Sequence, residues 1–234
     1  MEGALRRPEA VLFDLDGTLY DERRLRRAMV PRLLIGAALG GGPRLLRCIQ
    51  AYRRTREGLR GESFPTGSAL EALHLERAAA LAGSSPAVVR AFVEEWLEQR
   101  PLRHLGHAAR PGLLQTFRGL RERGLRVGVF SEHPTAAKLQ ALGLDGIVEA
   151  QCAAVSEGVA ALKPDPAGFL LLARELEVAP QACLVVGDRD DCDGAAARAA
   201  GMDFRLVGDR SAGDEVVRLG GLPELLVEID AADG

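Results

Sequence analysis

The chain is nearly devoid of lysine: of its 30 basic residues, only Lys138 and Lys163 are not arginine. A composition this skewed draws attention to the two positions where lysine is kept. Aromatic residues make up only 4%, too few for a base-stacking surface of the kind single-stranded nucleic acid uses. The four cysteines (Cys48, Cys152, Cys183 and Cys192) form no CxxC pair. A disulfide scaffold is therefore excluded, and the thiols read as reduced, the state expected in a cytoplasmic protein. Long apolar runs are also missing. The longest nearly uncharged stretch, 33–43, has 11 residues and holds four glycines, whereas a membrane span needs roughly 20 apolar residues. No apolar h-region precedes the first strand-like segment, so no secretory signal is expected.

What remains is ordinary globular composition, 47% apolar and 27% charged over 234 residues. That is enough for one large domain, or one domain carrying an insert. The net charge of −3 is unevenly spread. Residues 20–60 hold eleven arginines against Asp21, Glu22 and Glu57, a local balance of +8.

Short apolar runs at 10–14, 125–130, 182–187 and 204–207 read as buried strands, and 146–150 is a weaker candidate. Helical patterns lie between them. Pro134 reads as the first helical residue of one helix, and Asp165-Pro166 as the N-cap and first residue of another. Alternation of strand and helix implies a parallel sheet in a three-layer α/β fold. The stretch from about 20 to 103 breaks the pattern, with helices only. Ser68-Ala-Leu-Glu71 reads as a capping box. Ser85-Pro86 opens a helix with an apolar face at 88, 89, 92, 93, 96 and 97. Pro31 and Gly40-Gly-Gly-Pro43 divide the earlier part. An all-helical insert after the first strand has the outline of a cap or lid.

The first strand ends in Asp14-Leu-Asp16-Gly17-Thr18. Alternation puts Asp14 and Asp16 on one side, at the C-terminal edge where open parallel sheets bind ligands. Carboxylates so close repel unless a divalent cation lies between them or one is protonated. A second acidic set, Gly187-Asp188-Arg-Asp-Asp-Cys-Asp193, follows another strand. Asp14, a neighbouring backbone carbonyl and Asp188 make an oxygen set suited to magnesium. Asp190 reads as a helix cap. Ser131-Glu132-His133-Pro134 combines a hydroxyl with free backbone N–H groups at a helix start, an anion site in outline. Lys163, ahead of Pro164, is a point cation able to neutralise a phosphoryl group and the carboxylate attacking it. The four histidines form no metal-spaced cluster. His104 and His107 read as hinge or surface, while His133 follows Ser131 closely enough to face a substrate.

These four pieces, in this order at these strand ends, resemble the haloacid dehalogenase-like (HAD) hydrolase superfamily. The helical insert looks like the cap of its phosphoglycolate phosphatase-like subgroup. The resemblance implies a three-layer Rossmann-like core (1–18 and 104–234) with a helical cap domain (19–103). It implies a magnesium-dependent phosphatase acting on a small-molecule phosphate ester. Asp14 is then the nucleophile and Asp16 the general acid and base. Thr18, Ser131, Glu132 and Lys163 surround the phosphate, and Asp14, Asp16, Asp188 and Asp193 belong to the metal site. Asp16 argues against a dehalogenase, which lacks that second acid. A phosphomutase of the same fold, or a non-catalytic nucleic-acid-binding protein using the basic cap, is the alternative. Electrostatic capture of anionic substrates by the basic cap is a further expectation, with loss of Lys163 severe and loss of Lys138 mild. No membrane partner is expected, and the chain is a monomer or homodimer.

Overall fold

The computed structural model describes residues 6–38, 42–208, 210, 213 and 216–232. Its centre is β1 (Ala10–Asp14), five buried residues, AVLFD. A strand covered on both faces carries a continuous apolar run because neither side meets water. It sits inside a parallel sheet with β2 (Arg126–Ser131), β3 (Ala150–Ala153), β4 (Cys183–Gly187), β5 (Asp203–Val207) and β6 (Arg218–Leu219), in the order β3-β2-β1-β4-β5-β6. The chain steps outward from β1 to β3 and then returns across β1 to β4. That reversal opens a crevice at the C-terminal edge between β1 and its neighbours. Register aligns Asp14 with Phe130 and Phe13 with Val186. Ser131 and Asp188 therefore emerge just beyond Asp14, on either side of it.

Between β1 and β2 lie α1 (Glu22–Gly36), α2 (Gly42–Gly58), α3 (Gly67–Ala82), α4 (Pro86–Val93), a wide turn at Glu94–Gln99 and α5 (Arg100–Ala108). Their own apolar cluster joins Cys48, Ile49 and Tyr52 of α2, Leu75 and Ala78 of α3, Val89 of α4, and Trp96. The expected boundary at 103/104 falls inside α5, whose Leu105 and Ala108 join the core beneath the sheet. Beyond β2 come α6 (Leu113–Glu122), α7 (Ala136–Ala141), α8 (Ala167–Glu175), α9 (Ala195–Ala199) and α10 (Glu224–Ala231). Val11 and Phe13 point to the face covered by α6, α7 and α10, and Ala10 and Leu12 to the face covered by α8 and α9. Three layers result, with Phe13 stacked on Phe117 at 4.6 Å in one of them. Among the described residues no helix is long and apolar enough to cross a membrane, and all four cysteines are free and buried.

Several local expectations shift. The strand expected at 146–150 begins only at Ala150, because Gly146 (φ +74°) sits in a turn. Thr66, not Ser68, caps α3: its extended backbone lets Oγ1 accept the Ala69 N–H at 3.1 Å. Pro31 lies inside α1 and does not divide it. Of Gly40-Gly-Gly-Pro43, the first two positions lie outside the described residues, and Gly42 and Pro43 open α2. α7 starts at Ala136, two residues after Pro134. Asp165 caps as expected, accepting the Ala167 N–H at 2.8 Å.

The helical layer contains an acid-sensitive contact. His74 stacks on Tyr52 with ring centroids 4.0 Å apart, and its Nε2 lies 2.8 Å from the Tyr52 carbonyl oxygen. Burial, reinforced by Arg56, lowers its pKa from 6.5 to about 4. Between those values the unfolded chain binds the proton and the folded one does not. Stability is thus full above pH 6.5 and lost as pH falls toward 4. The fall in melting temperature between pH 7 and pH 4.5 should be smaller in His74→Gln than in the parent. An unchanged fall would remove His74 from the account.

Candidate active site

Asp14 ends β1 with 7% exposure, and two donors hold its carboxylate. Thr18 Oγ1 donates to Oδ2 at 2.7 Å and Lys163 Nζ to Oδ1 at 2.6 Å. Lys163 also reaches Asp193 Oδ1 at 2.8 Å and donates to the Phe130 carbonyl at 3.3 Å. Burial alone would discharge this lysine, but Asp14 and Asp193 outweigh it and raise its pKa, so it is a fixed cation. The chain can turn this tightly after β1 because of Gly17. Its φ is +96°, and a Cβ there would stand 2.4 Å from Asp188 Oδ2. Glycine is the residue that tolerates both conditions.

Asp16 is held by a different set. Ser131 Oγ donates to Oδ2 at 2.8 Å, Lys138 Nζ to Oδ1 at 2.5 Å, and the Tyr20 hydroxyl also donates to Oδ1. Burial opposes the charge on Asp16, yet Lys138, His133 and the two Oδ1 hydrogen bonds hold its pKa below the usual carboxylate range. Lys138 is therefore not a surface lysine: it is 7% exposed and bound to the second acid of the motif.

On the other side, Asp188 pairs with Arg210 Nε at 2.8 Å. One carboxylate oxygen from each of Asp14, Asp188 and Asp193 lies within 4.8 Å of the others. Burial and then Asp193 push Asp188 up to about 7 against the pull of Arg210. Burial, with Asp193 and Asp188, also raises Asp14 despite Lys163. Three buried carboxylates sharing so little positive charge fit a divalent cation, and all-oxygen donors fit magnesium. Asp14, Asp188 and Asp193 are the residues that would hold it. Each already takes a hydrogen bond or an ion pair, Asp193 from Lys163 and from the Arg189 N–H at 3.0 Å, and a carboxylate oxygen keeps a second lone pair for a cation.

The family model for haloacid dehalogenase-like hydrolases matches residues 8–201. The chain belongs to that family. This hydrolase is 32% identical over 203 residues to a phosphoglycolate phosphatase of Cereibacter sphaeroides, covering 84% of this chain and 83% of the relative. It is 29% identical over 209 residues to a glyceraldehyde 3-phosphate phosphatase of Methanopyrus kandleri, covering 83% and 81%. The fold is also that of the HAD-hydrolase YfnB of Bacillus subtilis, solved with magnesium bound. There the TM-score is 0.70 at 15% identity, over 96% of this chain and 100% of that one. With family and relatives together, the hydrolase is a phosphoric monoester hydrolase.

A cavity of about 480 Å³ opens above these residues, and Asp14, Asp16, Lys163, Asp188 and Asp193 all line it. Thr18 and Ser131 lie beneath it, each 0% exposed, holding Asp14 and Asp16. Glu132 also lines the cavity. Arg60 grips its carboxylate through Nη1 at 2.5 Å and Nη2 at 3.0 Å, and Arg56 donates to its carbonyl at 2.7 Å. An ion-paired carboxylate does not receive a phosphate, so any contact from Glu132 falls to its backbone N–H. Sequence reasoning missed Tyr20 and Lys138. The scarcity of lysine was the signal for the second; nothing marked the first. His133 lines the cavity, its pKa lowered by burial and by Arg56 and Lys138. Of the arginines between 20 and 60, Arg26, Arg53, Arg56 and Arg60 line the cavity, while Arg23, Arg24 and Arg27 do not.

Proposed function

We propose that this hydrolase is a magnesium-dependent phosphatase that cleaves a small-molecule phosphate monoester through an aspartyl-phosphate on Asp14. Residues 19–103 act as the cap domain over a core formed by 1–18 and 104–234. The observation that carries the reading is the Asp14 carboxylate, clamped between Thr18 and Lys163 at the sheet edge with Asp16 and Asp188 beside it.

Asp14 attacks phosphorus, and the ester P–O bond breaks as the new P–O bond forms. The departing alkoxide takes a proton from Asp16. Water then attacks the aspartyl-phosphate and gives its proton back to Asp16, releasing inorganic phosphate and regenerating Asp14. Lys138 and Tyr20 favour the anionic form of Asp16, the form required in the second half. For the first half it must exchange one of those partners for a proton. Lys163 neutralises charge on the nucleophile and on the transferring group. A bound magnesium ion would supply further positive charge at the phosphoryl oxygens and relieve the repulsion between Asp14 and Asp188. The basic patch gives little support to a nucleic-acid reading, because Arg56 and Arg60 turn inward and pair with Glu132, and Arg26 pairs with Glu22 on its own helix.

Chelation tests the metal. Removing divalent ions should lower hydrolysis of an aryl phosphate by at least about 100-fold, a change of the several-kcal/mol size metals supply. Added magnesium should restore it. Full activity after exhaustive chelation would dismiss the metal assignment.

A further inference from the structure

The cavity is larger than a short ester requires. Its 480 Å³ falls within the range of about 300–1,000 Å³ that accommodates ligands of drug size. A two-carbon leaving group would leave most of it to water. The side facing the cap is apolar, formed by Leu25, Met29 and Leu33 of α1 with Trp96 and Leu97. The three α1 residues recur every fourth position, which places them on one face of the helix. No residue of α1 is buried, so this stripe keeps open surface in the cavity. Apolar surface left open beside a charged site marks a place where something is bound.

The cations of the lining are not equivalent. Arg26, Arg56, Arg60, Lys138, Lys163, Arg189 and Arg210 each have a carboxylate within 4.0 Å. Arg53 makes no ion pair or hydrogen bond among the described residues, and it too lines the cavity. The charged groups acting on it are Arg26, which repels it, and Glu22, which is engaged by Arg26 and Arg210. A guanidinium without a partner at the exposed rim of the cavity is poised to receive an anion.

We propose that the leaving group of the substrate carries an apolar body, an aromatic ring or a branched chain, seated on the α1 wall, and a second acidic group bound by Arg53. The inference rests on the phosphatase reading and specifies its substrate class.

The test compares kcat/KM, with magnesium present, for phenyl phosphate, 4-carboxymethylphenyl phosphate and phosphoglycolate. The acidic aryl ester should exceed phenyl phosphate by about tenfold or more, the size of one hydrogen bond to a charged group. Arg53→Gln should erase that preference and leave phenyl phosphate within about twofold, with Arg53→Lys restoring part of it. Leu33→Ser should weaken both aryl esters and spare phosphoglycolate. Preference for phosphoglycolate over both aryl esters would overturn the proposal, as would an equal effect of Arg53→Gln on the neutral and acidic esters. Failure to hydrolyse any of the three would instead overturn the phosphatase reading, and the inference with it.

Discussion

Asp14→Ala is expected to abolish turnover without loss of the folded state. Activity should fall by at least about 10⁴-fold, because the substitution removes the covalent route itself and not one contribution to it. Asp16, held by Ser131, Lys138 and Tyr20, is the group that moves the proton and does not replace the nucleophile. Stability should hold or rise. Burial and the neighbouring Asp193 and Asp188 make the Asp14 anion costly, and Lys163 keeps Asp193 as its counter-ion. Initial rates, acid-trapping of phosphoenzyme from labelled ester, and a melting curve together check this. Phosphoenzyme still formed by the variant would place the nucleophile elsewhere.

The two lysines should separate stability from chemistry. Lys163 is 2% exposed and lies between Asp14 and Asp193. Lys163→Met would leave both carboxylates buried with no cation in contact, a cost of about 3–5 kcal/mol. The variant should melt far earlier and show no activity. Lys138→Met leaves Asp16 the hydroxyls of Tyr20 and Ser131, so its melting temperature should change much less. Its turnover should still fall by roughly 10²-fold, within the range that proton transfer contributes. From the sequence alone a mild effect is expected at Lys138; its contact with Asp16 argues for a larger one. Equal melting temperatures for the two variants would contradict the division of roles.

The parts of the site that sit where strands end were legible in the sequence. Asp14 and Asp188 each follow an apolar run, and a buried strand leaves its polar continuation at the sheet edge as a matter of geometry. Lys163 was legible through its rarity and its place before a helix start. Rarity flagged Lys138 equally, but nothing in the sequence tied it or Tyr20 to Asp16, since each reaches Asp16 through tertiary placement. Tyr20 is set by a bridge to Ala109, and Lys138 by the turn of a six-residue helix. The ion pair of the Glu132 side chain was hidden for a similar reason: Arg60 lies 72 positions away, and no local pattern links the two. The same limit applied at element ends. Thr66 won the cap of α3 over Ser68 through a backbone angle that composition does not reveal.

The burial of both lysines has a consequence for handling the molecule. A chain with arginine at every other basic position presents no lysine amine at its surface once folded. Acylating and carbamylating reagents find the ε-amino groups of Lys138 and Lys163 shielded and paired with Asp16, Asp14 and Asp193. Side-chain labelling therefore reports opening of the catalytic centre and not surface accessibility, and the extent of lysine modification becomes a direct count of molecules whose active site has come apart.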